Sequence, residues 1–159
     1  MEGTNMEIQL APENLIDGAI NVWHTEGEGV DIVMDILHPE GLKLKRGSVK
    51  NLYAFHVLGQ MKPMDVQVVL NYWKQLLAPD GVLYIIEQDS EYVFRALCGG
   101  DITIEVFNDY HRRNTFLNKD KVTELLANAG FNKEGFLQWR GQVKFEIKDF
   151  ELVLSAKNL

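Results

Sequence analysis

The side chains able to do chemistry are few and scattered. Four histidines (His24, His38, His56 and His111) and one cysteine, Cys98, have no metal-ligand spacing with one another, so no metal site is expected. Neither the G-x-S-x-G turn of a serine hydrolase nor a P-loop occurs. Gly27-Glu28-Gly29 precedes an apolar run instead of following one, which makes it a turn and not a phosphate cradle. What remains is a set of polar residues at the ends of apolar runs. Asp35 closes one such run, His56 lies near the end of the next, and His111, Arg112 and Arg113 form a polar cluster in a later loop. A strand-end carboxylate either accepts from a ligand or is simply solvated. An imidazole there is either a base or hydrogen-bonded structure. The basic cluster either holds an anionic substrate or is an exposed loop.

The elements that must position these residues can be read from the apolar pattern. Strands are expected at Glu7 to Leu10, Ala19 to Trp23, Val30 to Ile36 and Val49 to Leu58, the last with the mixed apolar run of a strand buried on both faces. A helix starts at Lys62-Pro63-Met64-Asp65, with proline and an acid in its first turn. Its stripe is Val66, Val69, Leu70, Trp73, Leu76 and Leu77, and Pro79-Asp80-Gly81 ends it. Val82 to Ile86 is a fifth strand, and Glu91 to Leu97 a helix stopped by Gly99 and Gly100. Asn118 caps a last helix whose inner face is Val122, Leu125, Leu126 and Ala129, with Gly130 just past its end. The β-rich segments Phe131 to Arg140 and Phe150 to Ala156 follow, and Val143 to Ile147 alternates between them. Strands joined by helices predict an α/β, Rossmann-like sheet, mostly parallel with an antiparallel C-terminal edge and helices on both faces.

Composition bounds the rest. The 159 residues suffice for one core, so one domain over 1–159 is expected. Apolar residues make up 46% and charged residues 25%, the balance of a folded chain. A formal charge of −7 argues against a nucleic-acid partner, which would need a concentrated cationic face. With one cysteine, no intrachain disulfide can form. The first eleven residues lack a basic segment followed by an apolar core, and no apolar run approaches a membrane span. A cytoplasmic location without membrane association is the expectation. Phe94, Leu97 and Phe107 are expected to be exposed apolar positions that a dimer could use.

Ligands of open α/β sheets bind at the carboxyl ends of the strands. Read there, the chain resembles the class I S-adenosylmethionine-dependent methyltransferases, more narrowly the small bacterial and phage members associated with glycan-modifying genes. The resemblance is carried by Ile8-Gln9-Leu10, Asp17-Gly18-Ala19-Ile20-Asn21-Val22 and Val30-Asp31-Ile32-Val33-Met34-Asp35-Ile36. It continues through Ser48-Val49, Tyr53-Ala54-Phe55-His56-Val57-Leu58 and Leu77-Ala78-Pro79-Asp80-Gly81-Val82-Leu83-Tyr84-Ile85. Ala129-Gly130-Phe131 and Glu151-Leu152-Val153 complete it, so that it covers nearly the whole chain. The resemblance implies S-adenosylmethionine as cofactor and a small-molecule or glycan-type acceptor. It implies that Asp35 reaches toward the adenine edge, that Ile36 lies beside the adenine, and that His56 matches the family's histidine in the cleft. Core packing would explain Ile36 equally well. The resemblance marks no catalytic residue.

Three departures fall on the parts that hold the cofactor. The family's Leu-Gly-x-Gly turn is Leu10-Ala11-Pro12-Glu13 here. Glycine lets backbone N–H groups approach a ligand, whereas Ala11 and Glu13 bring side chains and Pro12 has no N–H. Glu13 facing the methionine carboxylate at ~4 Å would repel it by on the order of 4 kcal/mol at an effective dielectric of ~20. That is roughly a thousandfold in affinity. Turned the other way, Glu13 would attract the cationic amino or sulfonium group. Trp23 stands where the family has the acid that holds the ribose hydroxyls, and indole only donates. It is expected either in the core or as a stacking surface. Gly59-Gln60 replaces the family's Glu-His on the substrate side. The expectation is therefore a methyltransferase-like protein with weakened or lost cofactor binding. The alternatives are a non-catalytic binding or assembly module, and a site for another adenosine-containing or nucleotide-sugar ligand.

Overall fold

The computed structural model describes residues 6–10, 16–36, 44–110, 114–132 and 151–158. Among them six strands form one sheet: β1 (Met6–Leu10), β2 (Ile20–Trp23), β3 (Ile32–Val33), β4 (Val49–Phe55), β5 (Leu77–Gln88) and β6 (Glu151–Lys157). Their order is β3-β2-β1-β4-β5-β6. The first five strands run parallel, and β6 runs antiparallel to β5. The mostly parallel sheet with an antiparallel edge is thus present, with helices around it. The chain leaves β1 toward β2 and β3, then returns to place β4 on the other side of β1. The topological switch lies between β1 and β4.

Alternation along the strands sorts the side chains. The register sets Ile8 beside Leu52 and Leu52 beside Leu83, and likewise Leu10, Ala54 and Ile85. All six are buried and share a core with the stripe of helix α1 (Pro63–Leu76), where Val66, Val69, Leu70, Trp73 and Leu76 are buried. On the opposite face Glu7 accepts hydrogen bonds from Asn51 (2.8 Å) and from the Tyr53 hydroxyl (3.3 Å). The Tyr53 and Tyr84 rings stack there at 4.9 Å.

The later helices carry the Asn118 cap and the glycine stops that the sequence predicts, and an Asp89 cap that it does not single out. Asp89 accepts from the backbone N–H of Glu91 and Tyr92 to start α2 (Ser90–Gly99), and Gly100 closes it at φ 81°. Asn118 accepts from Lys121 N–H to start α4 (Lys119–Asn128), with Gly130 at φ 84° beyond it. A helix between them, α3 (Ile104–Tyr110), is not foreseen by the sequence pattern. Its β-branched and aromatic residues show no apolar stripe, and Phe107 is its anchor in the buried set.

Three boundaries differ from expectation. The third strand, expected over Val30 to Ile36, shrinks to Ile32–Val33. Its one neighbour, β2, is itself only four residues long, so few ladder positions exist. The fourth strand stops at Phe55, because His56 turns to φ 56° and a 3-10 turn follows at Leu58–Gln60. Pro79-Asp80-Gly81 does not end the helix, which gives way to strand at Leu77. These residues instead form a bulge inside β5, where the register jumps from Val49 opposite Leu77 to Asn51 opposite Val82. Asp80 sits at φ 63°, and a Cβ on Gly81 would lie 2.8 Å from the Ala78 carbonyl oxygen.

The expected segments Phe131 to Arg140 and Val143 to Ile147 lie, apart from Phe131 and Asn132, outside the described residues. No helix among the described residues is long and apolar enough to cross a membrane.

Candidate functional site

A cavity of about 400 Å³ opens at the carboxyl ends of the strands, lined among the described residues by His24, Asp35, Ile36 and Gln60. His24 follows β2, Asp35 and Ile36 follow β3, and Gln60 closes the turn after β4. Because β1 lies between β2 and β4, the cavity bridges the switch point. Its volume is in the range of small-molecule sites, ~300–1,000 Å³.

Short backbone links hold the β2–β3 side. Met34 N–H donates to the Trp23 carbonyl at 2.8 Å, which sets the chain just before Asp35 against the end of β2. Asp31 Oδ2 accepts from Asn21 N–H at 2.8 Å and from its side-chain amide at 3.2 Å, fixing the entry to β3. Ile36 is 4% exposed and belongs to the core, so it gives the cavity a fixed apolar wall. Asp35 is exposed and lines the same space. At β1, the buried Gln9 accepts from Ile16 N–H at 2.7 Å and ties the following connection back onto the strand.

Trp23 is half-buried against the core, with its ring 4.4 Å from that of His24 and tilted by 43°. His24, which sequence reasoning did not single out for this site, is the side chain that reaches the cavity. The signal was available in its position one residue past an expected strand end.

His56 lies on the other side of the switch point. Its Nε2 pairs with Glu151 Oε1 at 3.0 Å, and its Nδ1 is buried. Its carbonyl accepts from the Gln60 side-chain amide at 2.6 Å. The structure therefore brings Asp35 and Ile36 together on the cavity wall, and connects His56 to that wall through Gln60. With one ring nitrogen engaged and the other buried, His56 is not posed to take a proton from a molecule in the cavity. Beside it the buried Glu87 accepts from Leu58 N–H at 2.6 Å and fastens the turn after β4. Neither Glu87 nor Glu151 is evident as a partner from the sequence, since the first depends on how β5 lies beside β4 and the second on the antiparallel return of β6.

The turn Ala11-Pro12-Glu13, His38 and the cluster His111-Arg112-Arg113 lie outside the described residues. The loop after that cluster is anchored to the turn after β4. Asn114 N–H and Thr115 N–H donate to the Gly59 carbonyl, and the Asn114 side-chain amide donates to the Gln60 backbone carbonyl. Nearby, Phe94 and Phe116 are 45% and 53% exposed. Phe107, expected to be exposed with Phe94 and Leu97, is buried instead, its ring edge-on to Phe94 at 5.2 Å.

No family model and no curated protein matches the sequence. Solved structures do. A SAM-dependent methyltransferase from Thermotoga maritima matches with a TM-score of 0.60 at 16% identity, over 87% of this chain and 72% of that one. One from Archaeoglobus fulgidus matches with a TM-score of 0.60 at 13% identity, over 87% and 75%. The CurJ carbon methyltransferase matches with a TM-score of 0.55 at 16% identity, over 97% of this chain but only 49% of its own length. The chain spans about half the length of that relative. At these identities the likeness concerns architecture, and the strand order, antiparallel edge and cavity at the switch point agree with it. The chain has the Rossmann-like fold of the class I S-adenosylmethionine-dependent methyltransferases.

Proposed function

We propose that the cavity at the switch point is a site for S-adenosylmethionine, and that the chain is methyltransferase-like with weakened donor binding. The observation that carries this reading is the joint placement of Asp35 and Ile36 on one cavity wall at the ends of the parallel strands. The residues fit the group: a carboxylate for the exocyclic amine of an adenine, a core-anchored aliphatic wall for its face, and room for a small molecule. Bound there, the donor supplies a methyl group on a sulfonium. Methyl transfer from it would leave the carbon–sulfur electron pair on sulfur while an acceptor lone pair made the new bond to carbon. Such an in-line displacement needs alignment above all, and a base only where the acceptor must lose a proton. The small number of polar groups in the cavity is compatible with that. A small-molecule or glycan-type acceptor would enter on the Gln60 side, with His56 holding the turn there in shape. Nucleic acid is disfavoured as a partner by the acidic chain, and a cytoplasmic, single-domain protein remains the reading of the sequence.

The alternative is a non-catalytic module that keeps the fold. Trp23 supports it, because its indole lies against His24 and the core at the strand end where the resemblance has a ribose-holding acid.

Titration calorimetry with S-adenosylmethionine and S-adenosylhomocysteine, carried to millimolar concentration, separates the two. Micromolar binding would remove the non-catalytic reading, whereas absence of heat and of any thermal shift would overturn the donor site. Asp35→Ala is expected to abolish the binding seen. Unchanged affinity in that variant would put the site elsewhere.

A further inference from the structure

Helix α1 buries one stripe in the core and leaves another facing solvent. The outward stripe is Met64, Val68, Asn71 and Gln75, all exposed. Their spacing of four, three and four residues is that of a helix-pairing seam. Met64 and Val68 are 76% and 65% exposed, the highest values among the described large apolar residues. The outward face of a surface helix ordinarily carries charge. Here Val66 to Trp73 has none, and Asp65 and Lys74 are the only charged residues of α1. Helices α2 and α4 follow the ordinary pattern, with the exposed ion pairs Glu91–Arg95 and Lys121–Glu124. Asn71 belongs to the stripe without adding charge to it. Its Oδ1 accepts from the Gln67 amide at 3.0 Å along the helix, and its own amide donors have no partner among the described residues.

Charge and symmetry narrow what covers such a face. The chain carries −7, so two copies repel one another and meet most easily through a surface that brings no like charges together. The stripe is also its own complement. Turned end for end, it sets Met64 against Gln75 and Val68 against Asn71 of a second copy, because both pairs are centred between Val69 and Leu70. Antiparallel helices lay their dipoles in opposition, which favours this reversed pairing over a parallel one. We infer that α1 is the contact of a twofold homodimer, in which the Met64, Val68, Asn71 and Gln75 stripe packs antiparallel on its counterpart. Val68 and Asn71 lie nearest the axis. The Asn71 amide reaches the second helix and sets the register, as a single polar residue does in a helix seam. Helix α1 is about 20 Å long, so the contact is smaller than the ~800 Å² per partner of a standard interface. The dimer is accordingly weak, with a Kd on the order of 100 μM. None of the four described cavity-lining residues is on α1, so the pairing holds whether or not the cavity takes a donor.

Sedimentation equilibrium of the whole chain, from about 10 μM to about 1 mM, tests this. The unaltered protein is expected to pass from monomer to dimer across that range and to stop there. Val68→Glu sets two carboxylates against each other near the axis and should weaken dimerisation about tenfold or more. Asn71→Leu makes the seam more apolar and should tighten it about tenfold. Both positions are exposed, so thermal melts of dilute samples should match the parent within about three degrees. Mass that stays monomeric up to about 1 mM, or a dimer that neither substitution shifts, overturns the assignment. So does mass that climbs past the dimer, because a closed twofold contact ends at two copies.

Discussion

The sheet has a thin half and a thick half, divided at the switch point. On one side β1, β2 and β3 have five, four and two residues. Residues 11–19 join β1 to β2 and residues 24–31 join β2 to β3. Both connections are shorter than the dozen or so residues of an ordinary parallel crossover. Among the described residues, no helix precedes the turn at Leu58. On the other side β4 and β5 have seven and twelve residues, and the four described helices follow. Ile32 and Val33 are 38% and 50% exposed, whereas Leu52, Leu83 and Ile85 are fully buried. Three of the four described cavity-lining residues, His24, Asp35 and Ile36, come from the thin half. Of the site residues on the thin side, only Ile36 and Trp23 are held by the core, while the exposed His24 and Asp35 are placed by short backbone links between β2 and β3. Such regions open at low cost, so a ligand that binds there should also order it.

The largest effect that would test this contrast is in the thick half. Trp73→Ala removes a side chain 1% exposed on the buried stripe of α1 and should cost about 3–5 kcal/mol of unfolding free energy, read by urea denaturation. A much smaller loss would mean that α1 is not the support of the sheet described above. Next is Gly81→Ala, whose new Cβ would meet the backbone oxygens of Ala78 at 2.8 Å and Val49 at 3.0 Å. Overpacking against backbone should cost about 1–3 kcal/mol, and a neutral result would show that the β5 bulge is loose. The thin half should behave differently. Val33→Ser on β3 is expected to stay within about 0.5 kcal/mol. Amides of β2 and β3 should exchange hydrogen faster than those of β4 and β5, and slow down when S-adenosylhomocysteine is added. Equal protection of both halves without ligand would remove the contrast.

The two halves also differ in how legible they were. In the thick half, local signals agree with one another: a proline and an acid open α1, Asn118 caps α4, and Gly130 takes the left-handed position past its end. Periodicity and end signals are properties of neighbouring residues, so the sequence displays them. The bulge in β5 was misread because Pro-Asp-Gly signals a turn whether that turn lies between elements or inside one. In the thin half, Val30 to Ile36 has the composition of a long strand, but its length is set by a partner, and β2 ends at Trp23. The site followed the same rule. Asp35 and Ile36 were visible as a strand end. The pairing of His56 with Glu151 depends on residues far apart in sequence, whereas His24, one residue past an expected strand end, was as visible as Asp35.

The smallest expected effect concerns the seam where the halves meet. Glu7 on β1 accepts hydrogen bonds from Asn51 and Tyr53 on β4, and its charge acts on Tyr53 and Tyr84. Burial, and after it the Glu7 carboxylate, push the ionisation of both phenols above the usual tyrosine value of about 10. The folded protein therefore holds these protons more tightly than the unfolded chain. Below the unfolded value both states are protonated and stability is unaffected. As pH rises past it, the unfolded chain loses protons first, and unfolding free energy falls until the folded phenols ionise too. Glu7→Gln keeps an acceptor for Asn51 and Tyr53 but removes the charge. Ultraviolet absorbance titration should show tyrosinate forming at lower pH in the variant than in the parent. It should still form above the ordinary value, because burial is the larger cause and remains. The alkaline loss of stability should become shallower in step. Superimposable titrations would mean that the β1–β4 seam transmits no charge effect between the halves, and that the thin half is held to the thick one by the strand ladder alone.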